Sequence, residues 1–505
     1  MTQTHPARQA LADLELGARP SGRTLLTADW VLAHENGGHA LLRRGEVVIE
    51  GGAVLFTGHG FQGDVARRID FGAALISPGL VDLDALSDLD TTILGIDHFP
   101  SWKKGRVWPL SYVERGPYEM YTPEELAFQK RFAFGQLLLN GITTAAPIAS
   151  LFYREWAETV AEFDAAADAA GDLGLRVFLS PAYRSGGMVL HAPGDMRAHF
   201  DEPRGLAGLD AAAEYIARQQ GRFDGLVQGM FAPDRVETST AGLLRATMAR
   251  ADELGVKVRL HMAQGRMEVD TVRALHGNTA PVWLANEGLL NDRLIAPHAT
   301  EATDEDLALY ARHGVSVVHC PLVSGRSGGS LNSFSKLKAL GINIAMGTDT
   351  TPPDMLMNLL VGLIACRMND GCPDRVMARD FFDAATLGGA QALGRDDLGR
   401  LAPGARADIA VFGLDDLFMA PSIDPITTLV TGGSGKVTQA VIVDGRLSMR
   451  FGQVAGIDMM AARDQAQAQF DRLIAQYPAR TWDHPPVEQI FPPSYPMRQQ
   501  ENADG

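Results

Sequence analysis

The chain has 505 residues, 46% hydrophobic and 21% charged, longer than one ordinary domain and ordinary in composition for a globular enzyme. With 45 Lys and Arg against 61 Asp and Glu, the formal charge of −16 offers no basic surface for a phosphate backbone, so nucleic acid is not an expected partner. No stretch reaches the roughly 18 apolar residues of a membrane span, and the three cysteines, Cys320, Cys366 and Cys372, make neither a disulfide framework nor a CxxC knot, so a reducing, cytoplasmic setting is expected and a membrane is not.

Residues 1–23 read as a polar N-terminal segment with no apolar core of a signal sequence. From Thr24 to about Phe71, short apolar runs broken by Gly and Asn (TLLTADWVLA, EVVIEGGAVLFTGHG, VARRIDF) predict antiparallel strands. Eight apolar runs follow: ALISPGLVDLD, GITTAAPIA, GLRVFLSPAY, GLVQGMFAP, VKVRLHMA, RLIAPHAT, VSVVHCP and INIAMGTDT. The segments between them, such as PEELAFQKRFAFGQLLLN and TDEDLALYARHG, have helical periodicity, N-caps such as Thr122 and Gly near their C-ends. Such alternation predicts a (β/α)8 barrel, because nearly continuous apolar strands suit a parallel sheet covered on both faces. An open doubly wound sheet is the alternative, but no Gly-rich phosphate loop follows the first run. Short β runs return in LGRLAPGA, ADIAVFGLDDL and QAVIVDGRLSMRFGQVAG. The expected organisation is a small β-sandwich built from residues 24–75 and 395–455, a barrel over 76–394, and a C-terminal helix with a Pro-rich tail over 456–505.

In such a barrel the reacting groups stand at the C-terminal ends of the strands. His261 ends the fifth run, His298 the sixth and Asp349 the eighth. Two imidazoles and a carboxylate suffice to hold one divalent ion with a position left open. Each residue singly is also an ordinary hydrogen-bonded structural group. Arg184, after the third run, can grip a carboxylate bidentately or form a surface ion pair. Cys320 follows His319, and on a strand their side chains point to opposite faces, so no Cys–His pair is expected. There is no GxSxG elbow, Walker loop or GxGxxG opening a helix.

The segments ISPGLVD, LHMAQ, LIAPHATEATDEDL, VSVVHCP and MGTDT, in this order and spacing, resemble the amidohydrolase superfamily, in particular its branch of chlorohydrolases and aminohydrolases acting on triazines, guanine and related heterocycles. The likeness covers roughly residues 24–455. It implies a barrel with a β-sandwich, His261 and His298 as metal ligands, Asp349 as the ligand that takes a proton from the attacking water, and His319 as a catalytic group close to Asp349. The resemblance fails at two places. Its first strand implies a His-x-His pair where this chain has Asp84 and Leu86. Leucine cannot bind a metal; Asp84 can supply one oxygen, leaving Asp84, His261, His298 and Asp349 for a single ion, zinc first, with iron or manganese as alternatives. Asp82, Asp88, Asp90 and His98 are possible substitutes, and the acidic cluster can equally be a solvated loop. The resemblance also implies a proton-shuttling glutamate where Gln264 stands, and glutamine keeps the hydrogen bonding without the proton.

Two functions remain open. One is a metal-dependent hydrolase, a homodimer, cleaving a C–N, C–S or C–halogen bond of a small nitrogen heterocycle that Gln264 and Arg184 contact. The other is a barrel that has lost its metal and serves in binding or regulation.

Overall fold

The computed structural model describes residues 6–95, 107–116, 120–148, 158–331 and 333–497. The eight runs become the strands Leu80–Ala85, Ile142–Pro147, Arg176–Leu179, Val227–Gly229, Val258–Arg259, Leu294–Pro297, Ser316–His319 and Ile344–Met346, all paired in parallel. The first four form one sheet and the last four another. Two seams join them into a barrel. At one, Phe231 bridges Val258, its N–H donating to the Lys257 carbonyl and its carbonyl accepting from Arg259 N–H. At the other, Asp349 N–H donates to the Asp84 carbonyl at 2.7 Å, and Thr348 gives its N–H (3.0 Å) and Oγ1–H (2.6 Å) to the Asp82 carboxylate. Most of these strands are buried at every position, which is why they read as unbroken apolar runs. Val81, Leu83, Ala146, Phe178, Met230, Ile295, Val318 and Ala345 pack as one cluster drawn from around the ring.

The covering helices begin and end where local chemistry dictates. Thr122 and Glu125 close a capping box before Pro123–Leu139, satisfying N–H groups that the first turn leaves without partners. Gly174, Gly255, Gly314 and Gly371 end their helices in the left-handed conformation, which costs a Cβ-bearing residue about 1 kcal/mol or more.

The run ALISPGLVDLD is two strands. Ala74–Pro78 pairs antiparallel with Ile409–Gly413 in a seven-stranded sheet containing Trp30–Glu35 and Thr438–Val443, and only Leu80–Ala85 enters the barrel. Gly79 lies between them, where a Cβ would stand 2.1 Å from Thr143. A four-stranded sheet, built from Thr24–Thr27, Glu46–Glu50, Ala53–Gly58 and Arg67–Asp70, shares a core with it that includes Leu26, Val47, Ile69, Ile76, Ile409 and Ile442. Both ends of the chain thus meet in one pair of sheets. Arg176, at the start of the third barrel strand, ties the barrel to this unit through a buried bidentate pair with Asp408 at 2.8 and 3.0 Å. The helix Met459–Gln476 lies on Pro123–Leu139, with Gln129 donating to Gln469 at 2.9 Å. No helix among the described residues is long and apolar enough to cross a membrane.

Candidate metal centre

The site is built where the strands run out. Ala263, His298, Ala299 and Asp349 all have φ between 46° and 81°, a left-handed backbone that non-glycine residues rarely adopt and that costs on the order of 1–3 kcal/mol each. Four such residues sit just past the fifth, sixth and eighth strands. Strain concentrated at strand ends, on residues that carry the donors or adjoin them, marks a constellation held by its surroundings rather than by local preference.

The donors converge on Asp84. Its Oδ1 lies 3.4 Å from His261 Nε2, its Oδ2 lies 3.8 Å from His298 Nε2, and His298 Nε2 lies 3.6 Å from Asp349 Oδ2. These gaps exceed an ordinary hydrogen bond. Each pair stands about as far apart as two ligands of one ion, whose bonds of about 2.0–2.3 Å place them roughly 3.3–3.8 Å from one another. Asp84 Oδ1 and both ring nitrogens of His298 are buried without a hydrogen-bond partner, a state worth about 1–3 kcal/mol per atom if nothing compensates it. The buried, unpartnered donor atoms of Asp84 and His298 therefore fit one divalent ion. Burial lowers the His298 pKa well below its usual value, keeping the imidazole neutral with a lone pair to give. Burial would raise the Asp84 pKa, but the close approach of His261 and the neighbouring Arg259 guanidinium outweigh it and lower it to about 2. His261 Nδ1 faces the Asp234 carbonyl at 3.0 Å. That contact fixes the tautomer and leaves Nε2 toward Asp84.

The other expected residues fall into place unevenly. Asp82 is committed to Thr348 and the Asp84 N–H, so it closes the barrel rather than substituting for a histidine. Asp88 helps to balance the buried Lys130 and caps the Asp90 N–H; His98 lies outside the described residues. His319 is buried against Cys366 Sγ, 3.9 Å from its Nε2, and the Phe381 ring, and burial drops its pKa to about 3. Gln264 is half-buried, its N–H donating to Glu268 at 2.5 Å. Arg184 is held between Asp234, 3.5 Å away, and the face of Trp108. Asp234 thus links Arg184 to His261.

Two residues at the centre were not anticipated. Arg259 is buried two positions before His261, its Nη1 donating to the Ala146 carbonyl at 2.7 Å and standing 3.8 Å from Asp84 Oδ1. The signal was a charge inside an apolar strand run. Cys320 does part from His319, as alternation predicts, but it is Cys320 that faces Asp84, its Sγ 3.6 Å from Oδ2.

Residues 75–448 match the amidohydrolase family. The chain belongs to the amidohydrolase family. A 5-methylthioadenosine/S-adenosylhomocysteine deaminase of Desulfitobacterium hafniense (strain DSM 10664 / DCB-2) is 26% identical to this amidohydrolase over 427 residues, 82% of this chain and 91% of the relative. Among solved structures, a zinc-bound adenosine deaminase from Xanthomonas campestris superposes with a TM-score of 0.76 at 22% identity, covering 89% of this chain and 98% of its own. An atrazine chlorohydrolase from Arthrobacter aurescens TC1 complexed with zinc does so with a TM-score of 0.71 at 22% identity, covering 88% and 99%. These likenesses carry the barrel fold.

Proposed function

We propose that this amidohydrolase uses one zinc ion to replace an amino group, or a leaving group of similar role, on a small nitrogen heterocycle of the purine or triazine kind. The observation that carries the reading is the spacing of Asp84 to His261 and to His298, and of His298 to Asp349, at ligand-to-ligand distances, with donor atoms of Asp84 and His298 buried and without hydrogen-bond partners. The substrate class is supported by relatives named as deaminases of adenosine-type nucleosides. Asp84, His261, His298 and Asp349 would hold the ion, which when bound lowers the pKa of water to near neutrality. Asp349 Oδ2, at the more open edge of the group, accepts the proton of the attacking water. Gln264 positions the substrate by hydrogen bonding, and Arg184, braced by Asp234 and Trp108, contacts it from the mouth. His319, packed on Cys366 and Phe381, acts by holding the end of the seventh strand. The reading carries with it a cytoplasmic homodimer and the division into sandwich, barrel and tail described above.

One observation favours the alternative of a metal-free binding protein: the Arg259 guanidinium already puts a fixed positive charge near Asp84. Metal analysis separates the two. Protein purified without chelator is expected to carry about one zinc per chain; His261→Ala is expected to lose it, and Asp349→Asn to lose at least about a hundredfold in kcat. Wild-type protein that stays empty when supplied with zinc, manganese or iron would favour the binding protein.

A further inference from the structure

We propose that Cys320 is a metal ligand in this chain, its thiolate taking up, with Asp84, coordination that the missing first-strand histidines would otherwise supply. The inference rests on the metal reading above and extends its ligand set. Among the described residues, Asp84, His298 and Cys320 form a group whose three donor atoms all lie within 4.8 Å of one another. All three are buried, with side chains of Asp84 and His298 at 0% exposure against 13% for His261 and 8% for Asp349. The Sγ to Asp84 Oδ2 distance of 3.6 Å is the edge expected when a sulfur bond of about 2.3 Å and an oxygen bond of about 2.0–2.2 Å share a centre.

A thiol hydrogen bond to Asp84 would also give that distance. Among the described residues, however, it is Cys320, and neither His261 nor Asp349, that joins Asp84 and His298 in a group with all donor atoms within 4.8 Å of one another, where one cation engages the thiolate, the carboxylate and one imidazole nitrogen together. The backbone makes room for the arrangement. A Cβ on Gly347 would stand 2.7 Å from Asp84 Cβ and 2.9 Å from Cys320 Sγ, so glycine lets the two side chains meet. Binding breaks the S–H bond, releases that proton to solvent and forms an Sγ–metal bond with no change of oxidation state. Asp84, His298 and Cys320 then make a deep, closed side, while His261 and Asp349 line the side open to substrate. A thiolate favours zinc or cobalt over manganese or magnesium.

The test loads metal-free protein with cobalt(II) alone and records its absorption. Wild type is expected to show the visible d–d bands of bound cobalt together with a thiolate charge-transfer band in the near ultraviolet. Cys320→Ser is expected to keep the d–d bands and lose the charge-transfer band, and Cys366→Ser to keep both. Bound cobalt without a charge-transfer band in wild type, or a band that survives in Cys320→Ser, overturns the proposal and leaves the metal reading standing. Failure of wild type to bind cobalt at all removes both. If Cys320→Ser does not fold, X-ray absorption of the zinc-loaded wild type decides: a sulfur neighbour at about 2.3 Å supports the proposal, and only lighter neighbours at about 2.0–2.1 Å overturn it.

Discussion

In the proposed reaction, Gln264 is where a single residue would set the chemistry. A carboxyl at this point could pass a proton to a departing amine; the amide can only hold the ring in place. Replacing Gln264 by Glu is therefore expected to raise kcat at least about tenfold on an amino-substituted heterocycle, where the leaving group needs a proton, and to leave a chloro-substituted analogue unchanged, where it does not. The ratio of the two rates is the measurement, and equal gains on both would count against a proton-transfer role for this position. That His261, His298 and Asp349 gather near one point was legible because each is a polar residue ending an apolar run. That Cys320 faces Asp84 was not, because alternation along a strand separates neighbours without saying which one faces the barrel, and the left-handed backbone at His298 and Asp349 breaks the alternation at neighbouring strand ends.

At the scale of elements, the first and eighth strands are joined by a side chain as well as by backbone. Thr348 gives both of its protons to Asp82, whose pKa burial raises to about 7 despite these hydrogen bonds. Thr348→Val keeps the shape and removes the Oγ1–H, and is expected to destabilise the protein by about 1–3 kcal/mol. Urea unfolding measures this, and a loss under about 0.5 kcal/mol, the size of an ordinary surface change, would show that the backbone alone closes the seam. Asp82 was grouped in the sequence with the possible metal ligands. Its partner lies 266 positions away, a distance over which neither spacing nor periodicity carries information.

At the scale of the whole molecule, the barrel and the sheets from the two chain ends are stitched by buried polar groups. Arg176→Met strands Asp408, and in part Asp444, without its buried cation; breaking such a pair is expected to cost about 3–5 kcal/mol, read as a fall in the unfolding midpoint. His39, on the strand Gly38–Arg43, reaches Thr386 Oγ1 at 3.0 Å, and burial, with the charges of His34 and Arg400, lowers its pKa to about 4. Asp383, 3.9 Å away, is itself pushed up to about 6 by burial and gives little countercharge at lower pH. A depressed imidazole contributes stability above the unfolded value of about 6.5 and loses it as pH falls toward 4, because the unfolded chain takes up a proton that the folded one refuses. Between pH 7 and 5 the contribution is on the order of 1–2 kcal/mol. His39→Gln is expected to flatten the acid limb of the stability profile by that amount, and an unchanged profile would show that the contact does not titrate.

The amino-acid sequence by itself determined the barrel, the return of short strands near the C-terminus, and three polar strand ends, because periodicity, caps and apolar runs are local properties that each segment carries wherever it folds. The split of ALISPGLVDLD between two sheets, the Asp82–Thr348 seam, the Arg259 charge near Asp84 and the turn of Cys320 toward that carboxylate were decided only by tertiary structure. Each is a meeting of segments far apart in the chain, and burial gives it its force: only inside the barrel does an unpartnered carboxylate or imidazole cost enough to demand an ion.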